Sequence, residues 1–411
     1  MFMLNFFSNL YSNIFLKILI KFLRELVVDN GFTLISHDNK KYKISEVTEK
    51  SLNIKILDKS LYGKIVLFPG LYFGEAYMKN KIKIHNGDIS DFLEIILRNV
   101  NNKSSVFKEF YFIKLFQNFK SFLKRNNIIN SKKNVAHHYD ISDDLYKIFL
   151  DKKMQYSCGY FINEKNSLEE AQNNKIKFII KKLKINSNCR VLDIGSGWGG
   201  LSVEIAKQTG ANVLGITLSE NQLAHSKTYA ESQGVNNLVE FRLMDYRDVS
   251  ESFDRIVSVG MFEHVGREYY QTFFNKINSL LKTNGIALLH TIGSLGTPRP
   301  VEPWITKYIF PGGYVPTLSE ISPVIENSRL LISDLEIWRT HYAKTLNHWK
   351  NNFLDSRAEV LDMFNEEFIR MWEYYLASCQ YSFIYNNNVV FHILLSKKID
   401  AVPLTRDYMY N

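Results

Sequence analysis

The nine residues SVGMFEHVG, 258–266, carry an apolar run into a carboxylate beside an imidazole, Glu263 and His264. Such a pair can ligate a metal, exchange a proton, or mark where a buried strand reaches solvent. No C-x-x-C or H-E-x-x-H spacing accompanies it, so no metal is assigned. A second chemical signature lies upstream. VLDIGSGWGG holds Gly195, Gly197 and Gly200 in G-x-G-x-x-G spacing, with Gly199 added. Glycines there let backbone approach a ligand closely, and a following helix offers free N–H groups. A dinucleotide site wants an acid at the tip of the second strand, for the ribose hydroxyls. GITLSENQ puts Thr217 at that tip, and the acid, Asp193, stands inside the first motif instead. That pattern counts against a nicotinamide dinucleotide.

Regular elements must hold these groups in place. From about residue 165 helices and apolar strands alternate: RVLDIG, NVLGIT, LVEFRLMD, DRIVSVG and GIALLHTIG read as strands one to five. Strands this apolar, separated by helices, predict a parallel sheet covered on both faces. Ser167 with Glu170, Ser219 with Gln222, and Thr317 with Glu320 read as capping boxes that start three helices. The stretch 294–316 reads as an insertion after strand five. A long aromatic helix, EEFIRMWEYYLASCQYSFIY, and the strand VVFHILLSK close the chain.

The N-terminal third differs. Residues 1–130 hold 20 Lys and Arg against 11 Asp and Glu, which accounts for the whole net charge of +9 over 411 residues. An excess confined to one region suggests an anionic partner, nucleic acid or an acidic membrane surface. YKISEV, LNIKIL and GKIVLF read as short strands of a small mixed module, residues 88–126 as helical, and 124–134 as the linker. The first 26 residues read as an apolar helix with a narrow polar stripe. They make a poor signal peptide and a poor membrane span. Three cysteines without a pairing pattern fit a reducing cytosol, not a disulfide framework.

HHYDISDDLYKIFLDKKMQYSCGYF, VLDIGSGWGGL, GITLSENQ, DYRD, RIVSVGMFEHVG, LLHTIG, IFPGGYVP and HYAKTL occur in that order. Together they resemble the cyclopropane-fatty-acyl-phospholipid synthases and the related mycolic acid cyclopropane synthases, over roughly residues 135–400. The resemblance implies a Rossmann-like class I methyltransferase sheet, in an α/β catalytic domain at 131–411, behind a small N-terminal α+β domain at 1–130. It implies S-adenosylmethionine as methyl donor, cis-unsaturated acyl chains of phospholipids as substrate, and a cytoplasmic enzyme peripheral to the inner membrane. A homodimer is expected, and a nucleic-acid partner is not.

The implied reaction adds the methyl to the double bond, forms a carbocation, and closes the ring when a base removes a proton from the added carbon. The implied base is a bound bicarbonate, held by Cys158, Glu263, His290, Tyr342 and the backbone of Ile292. Such a set offers the donors and acceptors that bicarbonate needs. For the cofactor the resemblance implies Tyr139, Tyr156, Ser157, Asp193, Gly195, Gly197, Thr217, Gln222, Asp245 and Tyr246. His264 is expected to support its neighbours. Ser196 departs from the family's usual cysteine. Cys379 is expected to line the acyl pocket and to form no covalent intermediate. The alternatives are a related lipid C-methyltransferase giving methyl-branched or hydroxylated chains, and a non-catalytic lipid-binding protein.

Overall fold

A seven-stranded sheet carries the residues singled out above. It belongs to a computed structural model that describes residues 2–47, 50–101 and 143–410. Tyr139, the linker at 124–134 and the second half of the helical stretch at 88–126 lie outside the described residues. Contacts divide the chain into two units. The first holds the described part of 1–124 with Glu302–Ile309 and Phe353–Asn386; the second holds the rest. A single cut near residue 130 therefore does not describe the grouping.

In the first unit a helix, Phe2–Leu26, precedes a four-stranded sheet of β1 (Phe32–Ile35), β2 (Lys41–Ile44), β3 (Asn53–Ile56) and β4 (Ile82–His85), in the order β2-β1-β3-β4. GKIVLF is not a strand. It falls in the helix Leu61–Leu67, where Leu61, Tyr62 and Ile65 are buried at helical spacing. The two later segments join by side-chain chemistry. Trp304 packs edge-on against Tyr374 at 4.6 Å. Lys307 and the Tyr308 hydroxyl both donate to Glu75, at 2.6 and 2.9 Å. Tyr77 donates to Glu373 at 2.8 Å. The aromatic helix Glu366–Tyr385 and its Cys379 thus belong with the N-terminal module.

In the second unit the sheet is built from β5 (Arg190–Ile194), β6 (Asn212–Thr217), β7 (Val239–Leu243), β8 (Phe253–Val259), β9 (Leu281–Ser294), β10 (Leu331–Trp338) and β11 (Asn388–Ser396). Its order is β10-β11-β9-β8-β5-β6-β7. The pairs from β9 to β7 are parallel, as the alternation predicts. β11 inserts antiparallel between β9 and β10, so the sheet is mixed. Helices cover both faces. The capping boxes at Ser167 and Thr317 form. At Ser219 only half forms. The Ser219 side chain accepts from the Gln222 N–H at 3.3 Å, but the Gln222 amide turns away to accept from the Thr217 hydroxyl at 2.7 Å.

Phe262, Phe273, Phe274, Ile256, Leu192 and Phe391 sit in one buried cluster of this unit. Phe262 stacks on Tyr270 at 4.4 Å and precedes Glu263, so its packing aims that carboxylate. Fully burying such a ring stabilises by roughly 1.5–3 kcal/mol, and truncating it adds the cost of a cavity. Phe262→Ala is expected to lower the unfolding free energy by about 3–5 kcal/mol in a denaturant titration.

Candidate active site at the strand ends

β5 ends at Ile194, and the chain turns back through the glycine loop. The N–H groups of Gly195 and Ser196 both donate to the Ile216 carbonyl, at 3.0 and 2.9 Å, which ties the loop to β6. Gly195 has φ +82°, and a Cβ there would lie 2.8 Å from Met261. Neither the backbone nor the space admits a side chain. Gly197, at φ +56°, faces open space. The Ser196 hydroxyl donates to the same Ile216 carbonyl at 3.3 Å, so the departure from cysteine is accommodated. Asp193 accepts from Ser202, on the helix after the loop, at 2.7 Å, bracing the loop from behind.

A cleft opens at the carboxyl ends of the strands, where open α/β sheets bind ligands. Tyr156, Ser157, Asp193, Gly195, Gly197, Thr217, Gln222, Asp245 and Tyr246 all line it. His264 lines it too, and burial holds its imidazole down to about 4, so it is neutral there. Asp245 is engaged by Arg247 through two contacts, at 2.8 and 2.7 Å. Arg247, another lining residue, went unread although it stands inside DYRD. Bare glycine backbone, a hydroxyl–amide pair and an acid beside an aromatic ring suit the amino acid, ribose and base of a nucleoside cofactor.

An aromatic cluster backs the cleft-lining Tyr156. Tyr156 stacks on Trp349 at 5.1 Å and meets Tyr146 edge-on at 5.2 Å. Tyr342 meets Trp349 edge-on at 5.8 Å, which links it to the cofactor wall. Tyr146, Trp198 and Trp349 were not singled out from the sequence. Aromatic residues scattered through helices look like any core until the fold gathers them.

Glu263 follows β8 in a short helical turn, and His290 lies on the neighbouring β9. Glu263 Oε1 accepts from the Ile292 N–H at 2.6 Å, which ties the end of β8 to β9. Its other oxygen, Oε2, is buried without a hydrogen-bond partner among the described residues, and so is His290 Nδ1. Ile292 therefore reaches this region through Glu263, its N–H already spent. Burial raises the Glu263 carboxyl to about 7, against the opposing pull of the Ile292 N–H. Burial, and after it Lys175 and Lys182, hold His290 well below the usual imidazole range. Cys158 is fully buried, and burial pushes its thiol up, so it is a neutral thiol. Cys379, in the other unit, is pushed up to about 12 by burial and is not among the residues lining the cleft. Neither cysteine is a thiolate at neutral pH. Among the described residues no His, Cys, Asp and Glu cluster could hold a metal ion.

These features define an S-adenosylmethionine-dependent methyltransferase of class I, and comparison with known proteins narrows the class. Residues 126–393 match the family model for mycolic acid cyclopropane synthetase, and the chain belongs to that family. It is 41% identical over 263 residues to a cyclopropane-fatty-acyl-phospholipid synthase of Escherichia coli, covering 64% of this chain and 67% of that one. It is 37% identical over 288 residues to a probable fatty acid methyltransferase of Pseudomonas putida, covering 67% and 73%. Among solved structures, the cyclopropane synthase MmaA2 of Mycobacterium tuberculosis superposes with TM-score 0.62 at 32% identity, covering 65% of this chain and 98% of that one. The mycolic acid cyclopropane synthase CmaA1, complexed with S-adenosylhomocysteine and CTAB, gives 0.61 at 31% identity, covering 64% and 97%.

Burial of Glu263 is testable by linkage. The folded protein holds this proton more tightly than the unfolded chain, whose carboxyl titrates near 4.5. Stability from it is full below that value and lost as pH rises through about 7. Unfolding measured from pH 4 to 8 should show the wild type losing on the order of 3 kcal/mol relative to Glu263→Gln across that window.

Proposed function

We propose that this enzyme adds one carbon from S-adenosylmethionine across cis double bonds in phospholipid acyl chains, closing cyclopropane rings. The observation that carries the reading is two buried polar atoms without a hydrogen-bond partner among the described residues, Glu263 Oε2 in the turn after β8 and His290 Nδ1 on the neighbouring β9. A buried acceptor and a buried ring nitrogen without protein partners ask for a small polar guest. Family membership and the 41% identity to the E. coli synthase supply the reaction class.

The cofactor would lie between the glycine loop, the Thr217–Gln222 pair and the Asp245–Tyr246 tip, with Tyr156 and Ser157 closing the near side. Bound there, it supplies an electrophilic methyl group. An alkene is a weak nucleophile, so the chain's task is alignment, and a cleft of fixed walls does that. Positive charge then develops on the acyl chain. The face of Tyr156 turned away from Trp349, which backs it, would shelter a cation by its quadrupole. Cys158, Glu263, His290 and Tyr342 would hold a bicarbonate, which supplies an acceptor for the proton leaving the added carbon. Ile292 contributes by fixing Glu263.

The N-terminal helix supports the partner half of the reading. Tyr11, Ile14 and Ile18 are exposed large apolar residues, and Lys17, Lys21 and Arg24 are exposed on the same helix. Interleaved apolar and basic residues suit an anionic membrane surface. Among the described residues no helix is long and apolar enough to cross a membrane.

Purified protein incubated with S-adenosylmethionine, bicarbonate and vesicles of cis-unsaturated phospholipid should yield chains heavier by one CH₂ and lacking the double bond. A methyl-branched chain that keeps a double bond, the cation having lost its proton from another carbon, or that carries a hydroxyl taken from water, would make the enzyme a lipid C-methyltransferase instead. Glu263→Ala should cut turnover by about 100-fold or more, the scale of losing a general-base site, while S-adenosylhomocysteine binding survives. Full activity in that variant removes Glu263 from the reaction. Replacing Ile14 and Ile18 with Asp should weaken binding to vesicles rich in anionic lipid and leave S-adenosylhomocysteine affinity unchanged.

A further inference from the structure

The stretch Met154–Gly159 has no helix or strand of its own, yet it places Tyr156, Ser157 and Cys158. Met154 takes φ +55°, a costly conformation for a non-glycine residue, so outside contacts must impose the shape of this stretch. Asp151 accepts from the N–H of Gln155 at 2.8 Å, and the Thr345 hydroxyl oxygen accepts from the N–H of Gly159 at 3.0 Å. Between those ends the helix Leu168–Lys182 supplies the rest. Gln172 donates to the carbonyls of Gln155 and Ser157, at 3.2 and 2.9 Å. One turn on, the Lys175 ammonium donates to the Ser157 hydroxyl oxygen at 2.6 Å.

Lys175 is fully buried, which is rare for a lysine. A neutral donor would serve Ser157 alone, so the charge needs its own reason. The charge acts on buried groups of several elements: Asp151 and Cys158 at the two ends of the stretch, Asp193 on β5, His290 on β9 and His392 on β11. Of these, Asp193 braces the glycine loop, and Asp151 anchors the stretch. Lys182, on the same helix, is committed elsewhere, 2.6 Å from Glu336.

We infer that Lys175 is a positioning residue for methyl transfer: its ammonium holds the Ser157 hydroxyl and with it the stretch that walls the cofactor cleft and, through Cys158, reaches the neighbouring base site. The Cys158 part rests on the reading proposed above; the cofactor part does not. Burial lowers Lys175 to about 8, so its ammonium is lost, and cofactor affinity should fall, as pH rises through that value.

The test uses the full chain with Lys175→Met, Ser157→Ala and the double variant. S-adenosylhomocysteine affinity is read by calorimetry across pH, and turnover is read on cis-unsaturated vesicles. Lys175→Met should weaken S-adenosylhomocysteine binding by about 10- to 100-fold, the scale of a lost charged hydrogen bond, and should abolish the alkaline limb near pH 8. Ser157→Ala should weaken it less, and the double variant should match Lys175→Met, because the two act through one contact. A folded Lys175→Met with wild-type affinity and an intact alkaline limb overturns the inference. If that variant does not melt cooperatively, Ser157→Ala decides, and wild-type affinity there also overturns it. Because the binding readout involves no acyl chain, a failed cyclopropane reading would appear only in the wild-type product.

Discussion

One hydrogen bond organises the chemistry: the Ile292 amide donating to a buried Glu263 carboxylate oxygen. It ties the last turn after β8 to the strand beside it and fixes which oxygen remains for a guest. Taking a carboxylate out of water is costly, and this one is raised to about 7 by burial. That cost is tolerated because Phe262 locks the turn into the core and the amide offsets part of the lost hydration. In the proposed function the other oxygen, without a partner among the described residues, is the one that would face the bicarbonate.

Electrostatics on the cofactor side follow the same logic with opposite sign. Asp193 and Asp151 are buried acids, and the charge of the buried Lys175 pulls both carboxyls down against the effect of burial. A positively charged methyl donor would enter a cleft whose acids are already answered by one ammonium and by Arg247 at Asp245. His264, neutral through burial, adds no further charge to the cleft.

Much of this was legible in the sequence because it is local. The glycine loop and the alternation of strands and helices show in local spacing, and the cleft-lining residues from Tyr156 to Tyr246 sit in the contiguous motifs that carry the family resemblance. What was illegible depends on distant packing. Lys175 and Gln172 fall in a polar helical stretch where a lysine reads as solvated, and only the fold buries it. GKIVLF has the β-branched content of a strand but buries its residues at helical spacing. The aromatic helix around Cys379 reads as part of the catalytic domain, yet its tyrosines and Glu373 bond within the N-terminal module. β10 and the antiparallel insertion of β11 depend on sheet pairings that no short motif announces.

The central claim is that a proton leaves the transferred carbon within this site. It is tested most directly by supplying S-adenosylmethionine with a fully deuterated methyl group and weighing the product chains. The account predicts ring-containing chains that retain two of the three deuterons, the third lost to solvent. Chains that retain all three on a methyl branch would contradict it.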